Sequence, residues 1–150
     1  MKRLALLTSA IGFSLAAFAA TAGAADCPIK IGGIAPLSAP GTVVGGEAMR
    51  DAMLIAQDDL NKAGGALGCD IEVVIADSEG LPEKAKAIME KLITQDGVVA
   101  VGGGYHSSVG VASKDVANAR GIPVVYAETW NDTITGDKQK YIFRLSLIHI

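Results

Sequence analysis

The chain alternates between short, continuously apolar runs and longer segments in which apolar residues recur every three or four positions. The continuous runs predict strands, and they occupy residues 29–35, 71–76, 98–101 and 122–127, followed by a further apolar piece at 141–143. The periodic segments between the runs predict amphipathic helices. Strands that alternate with helices are typical of an α/β fold with a parallel sheet, right-handed crossovers and helices on both faces. We therefore expect a Rossmann-like or flavodoxin-like domain.

Three helices are predicted between the strands. The first has its apolar positions at Met49, Ala52, Met53, Ala56, Leu60 and Ala63, and it is ended by Gly64 and Gly65. The second begins at Pro82, because proline is favoured in the first helical turn. The third begins at Ser107 and Ser108 and ends at Gly121, a residue type common just after a helix.

The remaining segments predict a central strand and a polar loop. The third apolar run, from Val98 to Val101, shows no polar alternation, which predicts a central strand buried on both faces. Residues 130–140 are polar and predict a loop that leads to the last apolar piece.

The first 24 residues have the three-part pattern of a secretory signal peptide. A short basic start precedes an almost wholly apolar stretch at 4–20, and small residues follow at 22–24. A transmembrane anchor is the alternative, although it needs about 20 apolar residues without a cleavage site. We expect cleavage after Ala24 and a soluble exported protein whose domain spans residues 25–144.

Composition and charge narrow the classes further. The chain has 150 residues, of which 50% are hydrophobic, and this is enough for one domain with a sizeable core. The formal net charge is -3, and the charges form no block. We expect no nucleic-acid partner, and we expect a monomer.

The two cysteines, Cys27 and Cys69, each lie two residues before a predicted strand. In the flavodoxin-like order the first two strands are parallel neighbours, so equivalent positions lie roughly 5 Å apart, which a disulfide can bridge. An exported protein folds where disulfides persist. These considerations favour a Cys27–Cys69 disulfide over two unpaired, small apolar residues.

Open parallel sheets bind ligands beyond the carboxyl ends of their strands. In this chain those ends are residues 36–46, 77–81, 102–108 and 127–131. The third of them opens the sequence GGGYHSSVG, in which three glycines precede an aromatic residue, a histidine and two serines. This segment is the strongest candidate for a site.

Nucleotide, hydrolase and metal motifs do not match this segment. A dinucleotide site needs G-x-G-x-x-G directly after the first strand, where the chain reads APLSAPG, and a P-loop needs a lysine after its glycines. The hydrolase motif G-x-S-x-G does not occur, and His106 beside Ser107 does not make a triad. No spacing typical of metal ligands is present. We expect no catalysis, no cofactor and no metal.

The segment is instead typical of a carboxylate-binding site at the start of a helix, which we call the carboxylate seat. Helix N-termini carry unpaired N–H groups and a partial positive charge, and glycines allow a ligand to approach the backbone closely. Ser107 or Ser108 is also predicted to cap the helix. Capping alone does not call for three glycines and an exposed Tyr105, so the pattern favours carboxylate binding.

Four segments in combination resemble the branched-chain amino-acid binding proteins, which are periplasmic solute receptors of ATP-driven importers. They read IKIGGIAPLSAPG, GEAMRDAMLIAQDDLNKAGGALG, IEVVIADSEGLPEKAKAIMEKLI and VAVGGGYHSSVGVA, and the resemblance spans about residues 29–144. It implies the first lobe of a type I periplasmic binding protein. Such a protein closes two lobes around a small ligand and delivers it to an ABC permease in the inner membrane, without catalysis.

The resemblance also implies roles for individual residues. Ser107, with Ser108 beside it, corresponds to the serine that holds the ligand's carboxylate. Ala127, Glu128 and Thr129 correspond to a segment after the fourth strand that supplies carbonyl and hydroxyl contacts.

Several positions depart from the family's pattern. Tyr105, Glu128 and Trp130 are departures, and Val43 and Val44 stand where the family often has an aromatic residue. Trp130 is expected either to stack on a planar ligand or to pack in the hinge region, and Glu128 either to pair with a ligand cation or to face solvent. Amino acids, amides, urea-like compounds and aromatic acids therefore stay open as ligands.

The last six residues, LSLIHI, match one reading frame of a transposon-end adapter used in sequencing libraries. Residues 145–150 are therefore expected to be adapter-derived or a truncated end, with a natural strand end as the alternative. Two other functions also stay open. One is an exported two-lobed ligand sensor, and the other is a small exported hydrolase that uses Ser107.

Overall fold

The computed structural model of the protein describes residues 27–145. The predicted signal peptide at 1–24 and residues 146–150 of the predicted tail lie outside the described residues. The strands are β1 (Ile29–Ala35), β2 (Ile71–Asp77), β3 (Ala100–Gly103), β4 (Val124–Tyr126) and β5 (Ile142–Arg144). The helices are α1 (Val43–Lys62), α2 (Pro82–Thr94), α3 (Ser107–Arg120) and the one-turn α4 (Thr133–Gly136). Within residues 27–145, no helix is both long and apolar enough to cross a membrane.

The five strands form one all-parallel sheet in the order β2-β1-β3-β4-β5. This confirms the predicted α/β fold and its flavodoxin-like order. A Cβ on Gly32 would lie 3.3 Å from Leu92 of α2, whereas a Cβ on Gly33 would lie 3.0 Å from Met53 of α1. Because consecutive strand residues point to opposite faces, α1 and α2 cover opposite faces of the sheet.

The main core lies between the sheet and the pair α2 and α3. Its fully buried members include Met89, Leu92, Val109, Ala117, Val124 and Tyr126. The phenol of Tyr126 hydrogen-bonds the hydroxyl of Ser113 on α3 across 2.7 Å, and burial raises the pKa of Tyr126 to about 12. The core therefore holds α3 firmly on the strands that precede the candidate site.

The structure corrects three predicted boundaries. The strand predicted at 98–101 begins only at Ala100, and Val99 is 54% exposed, so this segment is central but not buried on both faces. The strand predicted at 122–127 is limited to Val124–Tyr126, because Pro123 cannot donate a ladder hydrogen bond. The polar loop at 130–140 contains α4, which is too short to show a helical period.

The face that carries α1 is only partly covered within residues 27–145. Val125 and Phe143 are paired neighbours on this face and are 40% and 51% exposed. Ala52 and Ala56 of α1 are also exposed, and Leu60 is 50% exposed. The periodic spacing thus correctly predicted the helix, but several of its apolar positions are not buried.

Cys27 and Cys69 form the predicted disulfide, with their Cα atoms 5.3 Å apart. Ile29 of β1 pairs with Ile71 of β2 in register, so each cysteine stands two residues before a matched pair. The bond lies at the amino edge of the strands, opposite the edge at which the βα loops meet.

Candidate functional site

The loops after β1, β2, β3 and β4 contact one another at the carboxyl edge of the sheet, as predicted. The backbone N–H of Leu37 donates to Asp77 across 2.7 Å, which joins the first two loops. The backbone N–H of Glu128 donates to the carbonyl of Gly104 across 3.3 Å, which joins the last two. The predicted site residues therefore come together on one edge.

Ser107 lies at the centre of this edge, but it does not cap its own helix. The N-cap of α3 is His106, and no side chain caps the helix, so the expected capping by Ser107 or Ser108 is wrong. The hydroxyl oxygen of Ser107 instead accepts the backbone N–H groups of Trp130 across 2.9 Å and Asn131 across 3.3 Å. Since both bonds use its lone pairs, the hydroxyl hydrogen stays available to donate.

The first turn of α3 presents further donors. The first four N–H groups of any α-helix lack partners within the helix. Among residues 27–145, no acceptor bonds the N–H groups of Ser107, Ser108 or Val109. Ser108 is exposed, and its side chain has no hydrogen bond in the described part of the chain. Val109 itself is buried, so the N–H groups of Ser107 and Ser108 are the donors that a ligand can reach, at the end of the helix that carries a partial positive charge.

Two of the three glycines have a structural reason that does not involve a ligand. Gly103 and Gly104 have φ values of 99° and 81°. A Cβ on Gly103 would lie 2.7 Å from the carbonyl oxygen of Ile34, and one on Gly104 would lie 2.7 Å from the ring of Tyr126. Backbone conformation and close packing therefore explain these two glycines without the expected approach of a ligand.

Tyr105 is half-buried rather than exposed as expected, because its ring packs over the start of α1. A Cβ on Gly45 would lie 2.3 Å from Cε2 of this ring. Tyr105 therefore brings an aromatic ring to the place where Val43 and Val44 supply none. Its other neighbour is the ring of His106, in an edge-on contact with centroids 5.3 Å apart.

Five side chains line an open cavity at this edge, namely Tyr105, His106, Ser107, Glu128 and Trp130. Its volume is about 400 Å³, within the range of small-ligand sites. Glu128 is exposed, and Trp130 is 72% exposed. The lining thus combines a helix start, a hydroxyl, a carboxylate and aromatic surface.

A second cavity of about 520 Å³ runs along α1 and shares only Tyr105 and Glu128 with the first. It also takes in Gly103 and Ala127, and its remaining lining consists of small and apolar side chains of α1. Because it lacks the donors at the start of α3, we place the candidate site at the first cavity. Ala127 lines the second cavity, and its contact with a ligand remains a prediction.

Thr129 does not reach the cavity in this structure. It is 1% exposed, and its hydroxyl oxygen is buried without a hydrogen-bond partner among residues 27–145. Its methyl group packs near Gly104 and Gly110. The hydroxyl contact that the resemblance implied for Thr129 remains a prediction.

Two side chains that no sequence pattern indicated hold the loop after β4 in place. Lys114 of α3 is 5% exposed and pairs with Asp137 beyond α4. Arg144 at the end of β5 donates to the carbonyl oxygen of Thr129 across 3.4 Å. These contacts steady the segment that carries Trp130, and they join residues too distant in sequence for periodicity to reveal.

Asp77, at the end of β2, organises the other side of the edge. Its carboxylate accepts the N–H groups of Leu37 at 2.7 Å and Glu79 at 2.8 Å, and the hydroxyl of Ser38 at 2.5 Å. Burial raises the pKa of Asp77, but the hydrogen bonds from Ser38, Glu79 and Leu37 outweigh it and leave the pKa lowered. Ionised Asp77 therefore ties the loop after β1 to the loop after β2.

Replacing Asp77 by asparagine is expected to lower the free energy of unfolding by about 1–2 kcal/mol at pH 7, because charge-assisted hydrogen bonds are lost. A carboxyl with a lowered folded pKa stabilises the protein above its unfolded pKa, and this contribution disappears as the pH falls through the folded pKa. Thermal unfolding of both proteins between pH 7 and pH 2 should show the gap closing below about pH 4. Asp70→Asn, at the exposed other end of β2, is the control. A gap that stays constant with pH would contradict this role.

Within residues 27–145, no group of three or more His, Cys, Asp or Glu side chains is placed to hold a metal ion. The chemistry that the described site offers is that of hydrogen-bond donors, one carboxylate and aromatic rings.

The chain is similar to known proteins of one family. Residues 28–148 match the family model described as periplasmic binding protein. The Leu/Ile/Val-binding protein homolog 8 of Brucella suis is 32% identical over 141 residues, which cover 93% of this chain and 34% of that protein. The chain therefore spans about a third of the length of such relatives.

Two solved structures are similar in fold. The branched-chain amino acid transporter substrate-binding protein LivJ of Streptococcus pneumoniae, in complex with isoleucine, has a TM-score of 0.72 and 32% identity. The match covers 77% of this chain and 33% of LivJ. A solute-binding protein of an ABC transporter from R. palustris, in complex with 4-hydroxybenzoate, has a TM-score of 0.66 and 26% identity, covering 77% and 31%.

Proposed function

The chain belongs to the periplasmic binding protein family, as its motifs predicted, and we propose that it forms one lobe of an exported solute receptor. The receptor binds an amino acid or a related small carboxylate or amide and delivers it to an ABC permease. A second lobe of the full-length protein closes over the ligand. Export through the signal peptide at 1–24, a periplasmic location and a monomeric state are parts of this proposal.

The observation that supports binding is the open start of α3. Ser107 has a hydroxyl hydrogen to donate, and the N–H groups of Ser107 and Ser108 have no acceptor among residues 27–145. Three donors at the positive end of a helix suit a carboxylate. Receptor lobes that close over such a site exclude water and strengthen each hydrogen bond.

Glu128 and Trp130 bear on the class of carboxylate. An amino acid would place its carboxylate at the start of α3 and its ammonium group near the exposed carboxylate of Glu128. An aromatic acid would use the exposed indole of Trp130 as a stacking surface. The similar structures hold one ligand of each kind, isoleucine and 4-hydroxybenzoate. We favour the amino acid, because a carboxylate that lines the cavity repels an acid without a compensating cation.

Glu128→Gln is expected to weaken isoleucine binding by the full-length protein about tenfold, since the ammonium group loses a charge-assisted hydrogen bond. Binding of 4-hydroxybenzoate should be unchanged or stronger. Glu72→Gln, on the exposed side of β2, is the matched control. An unchanged affinity for isoleucine would show that Glu128 faces solvent, and the preference for amino acids would then be rejected.

Trp130 offers a direct test of binding itself, because it is the only tryptophan in the chain and lines the cavity. If the full-length protein contains further tryptophans, a Trp130→Phe variant shows which part of the fluorescence emission comes from them. Saturable changes in emission on titration with isoleucine, 4-hydroxybenzoate or a small amide would support the receptor. An emission that none of these compounds changes would count against it.

Two other functions are separated by simple assays. A small hydrolase that uses Ser107 would turn over an ester substrate, and Ser107→Ala would abolish that turnover; the receptor is expected to leave every probe chemically unchanged. A two-lobed sensor would bind the same ligands without supporting uptake. Loss of uptake in cells that lack the protein would favour the receptor.

A further inference from the structure

Three of the loops at the carboxyl edge meet at the ring of His106. Nε2 of His106 lies 3.2 Å from the hydroxyl oxygen of Thr42, which stands just before α1. On another side, the ring lies against Gly80 in the loop after β2, where a Cβ would be 2.9 Å from Cε1 and 3.1 Å from Nδ1. His106 itself is the N-cap of α3. The ring thus joins the loops after β1, β2 and β3.

Gly80 shows how closely these loops approach each other. Its φ of 70° is in the left-handed region that favours glycine, and a Cβ there would also lie 3.0 Å from Cα of Gly41. The His106 ring and the backbone of the loop after β1 therefore share the space beside Gly80. Movement of the ring would disturb both loops together.

His106 is also the residue from which the chain enters α3 at Ser107. As the N-cap, His106 has φ of -86° and ψ of 129°, after which the chain turns into the helix at Ser107. Nδ1 of His106 is buried and has no hydrogen-bond partner among residues 27–145. The ring is therefore held by its contact with Thr42 and by packing against Gly80 and Tyr105.

We propose that His106 is the positioning residue of the carboxylate seat, since it ties the loops after β1 and β2 to the first turn of α3 and thereby fixes Ser107 and its neighbouring N–H groups. The proposal rests on the proposed function, because the seat needs a carboxylate ligand to hold. The contacts by which His106 joins the loops do not depend on that function. It gives the histidine a role that neither capping nor catalysis supplies.

Hydrogen exchange of the ligand-free protein tests the proposal. The amides of Gly41 and Leu81 are bonded within the loops after β1 and β2, and the amide of Gly46 is bonded to Thr42 in the first turn of α1. His106→Ala is expected to accelerate their exchange about threefold to tenfold, the effect of losing roughly one hydrogen bond, while amides of β1 and β3 keep their rates. Thr42→Val should accelerate Gly41 and Gly46 but not Leu81. Thr94→Val, which removes an exposed hydroxyl at the end of α2, is the matched control and should change none of them.

Two further variants separate positioning from a general loss of stability. His106→Gln can still reach Thr42, so it should restore the exchange rates of Gly41 and Gly46. Adding Thr42→Val to His106→Ala should cause no further acceleration at these two amides, because both variants remove the same contact. Equal acceleration across the whole chain, or no rescue by glutamine, would overturn the proposal.

Affinity for isoleucine and for 4-hydroxybenzoate completes the test. If either binds the wild-type protein, His106→Ala should weaken it about threefold to tenfold, and His106→Gln should recover most of the loss. Unchanged affinity in His106→Ala would overturn the role in the seat. If neither probe binds the wild-type protein, the proposed function fails, and the exchange rates alone decide whether His106 ties the loops.

Discussion

Replacing Ser107 by alanine is expected to weaken ligand binding by the full-length protein by about 1–3 kcal/mol, which is roughly a fivefold to 150-fold rise in the dissociation constant. The variant removes the donor to the ligand's carboxylate. It also leaves the N–H groups of Trp130 and Asn131 without the oxygen that accepts them. The loss should therefore exceed that of a single neutral hydrogen bond.

Ser108→Ala is the matched comparison for this prediction. Ser108 follows directly in the same helix, but its side chain is exposed, and its contribution to the seat runs through its backbone N–H. The alanine variant keeps that group, so its loss of affinity should be clearly smaller. Calorimetric titration with isoleucine and 4-hydroxybenzoate measures both variants. Equal affinities for Ser107→Ala and the wild-type protein would reject the role of Ser107.

Removing the disulfide with Cys27→Ala and Cys69→Ala is expected to lower the free energy of unfolding by about 2–4 kcal/mol. The bond closes a loop between residues 42 apart in sequence, for which the chain-entropy model gives about 4 kcal/mol before native-state effects. Urea denaturation of the oxidised wild-type protein, its reduced form and the double variant measures the difference. The reduced and double-variant proteins should agree with each other.

The location of the disulfide makes this prediction selective. Cys27 and Cys69 precede β1 and β2 at the amino edge of the sheet, whereas Ser107 lies at the carboxyl edge. Ligand affinity at temperatures well below unfolding should therefore stay within about twofold of wild type in the double variant. A stability unchanged by reduction, or two free thiols in the oxidised protein, would contradict this prediction.

The fold could be predicted from the sequence because its signals are local and repeated. Apolar runs placed β1 and β2 correctly, Pro82 placed the start of α2, and Gly121 marked the end of α3. The strand order then gave the cysteines their neighbouring positions. Each of these inferences uses residues close in sequence or a rule that holds for parallel sheets in general.

Burial on α1 could not be predicted in the same way. Spacing at Ala52, Ala56 and Leu60 indicates one apolar side, but which part of that side is covered depends on the neighbours in space. In this structure α1 packs on β1 and β2, and its flank toward β3 and β4 stays open within residues 27–145. The helical spacing of apolar residues does not show which part of the helix will be covered.

The meeting of the loops at the carboxyl edge was predicted, whereas their detailed contacts were missed for a physical reason. The loops that meet at the edge follow from the direction of parallel strands, so Ser107, Glu128 and Trp130 were expected near one another. The bond from Ser107 to the loop after β4 spans 23 residues, and the contact of His106 with Thr42 spans 64. Contacts of this range depend on side-chain packing across loops, for which the sequence has no periodic signal.

A crystal structure of the full-length protein with its ligand would show whether the start of α3 holds the ligand's carboxylate. We predict a carboxylate within hydrogen-bond distance of the Ser107 hydroxyl and of the backbone N–H groups of Ser107 and Ser108, with the ligand chemically intact. A bound ligand whose carboxylate lies elsewhere, with these three donors in contact only with water, would contradict it.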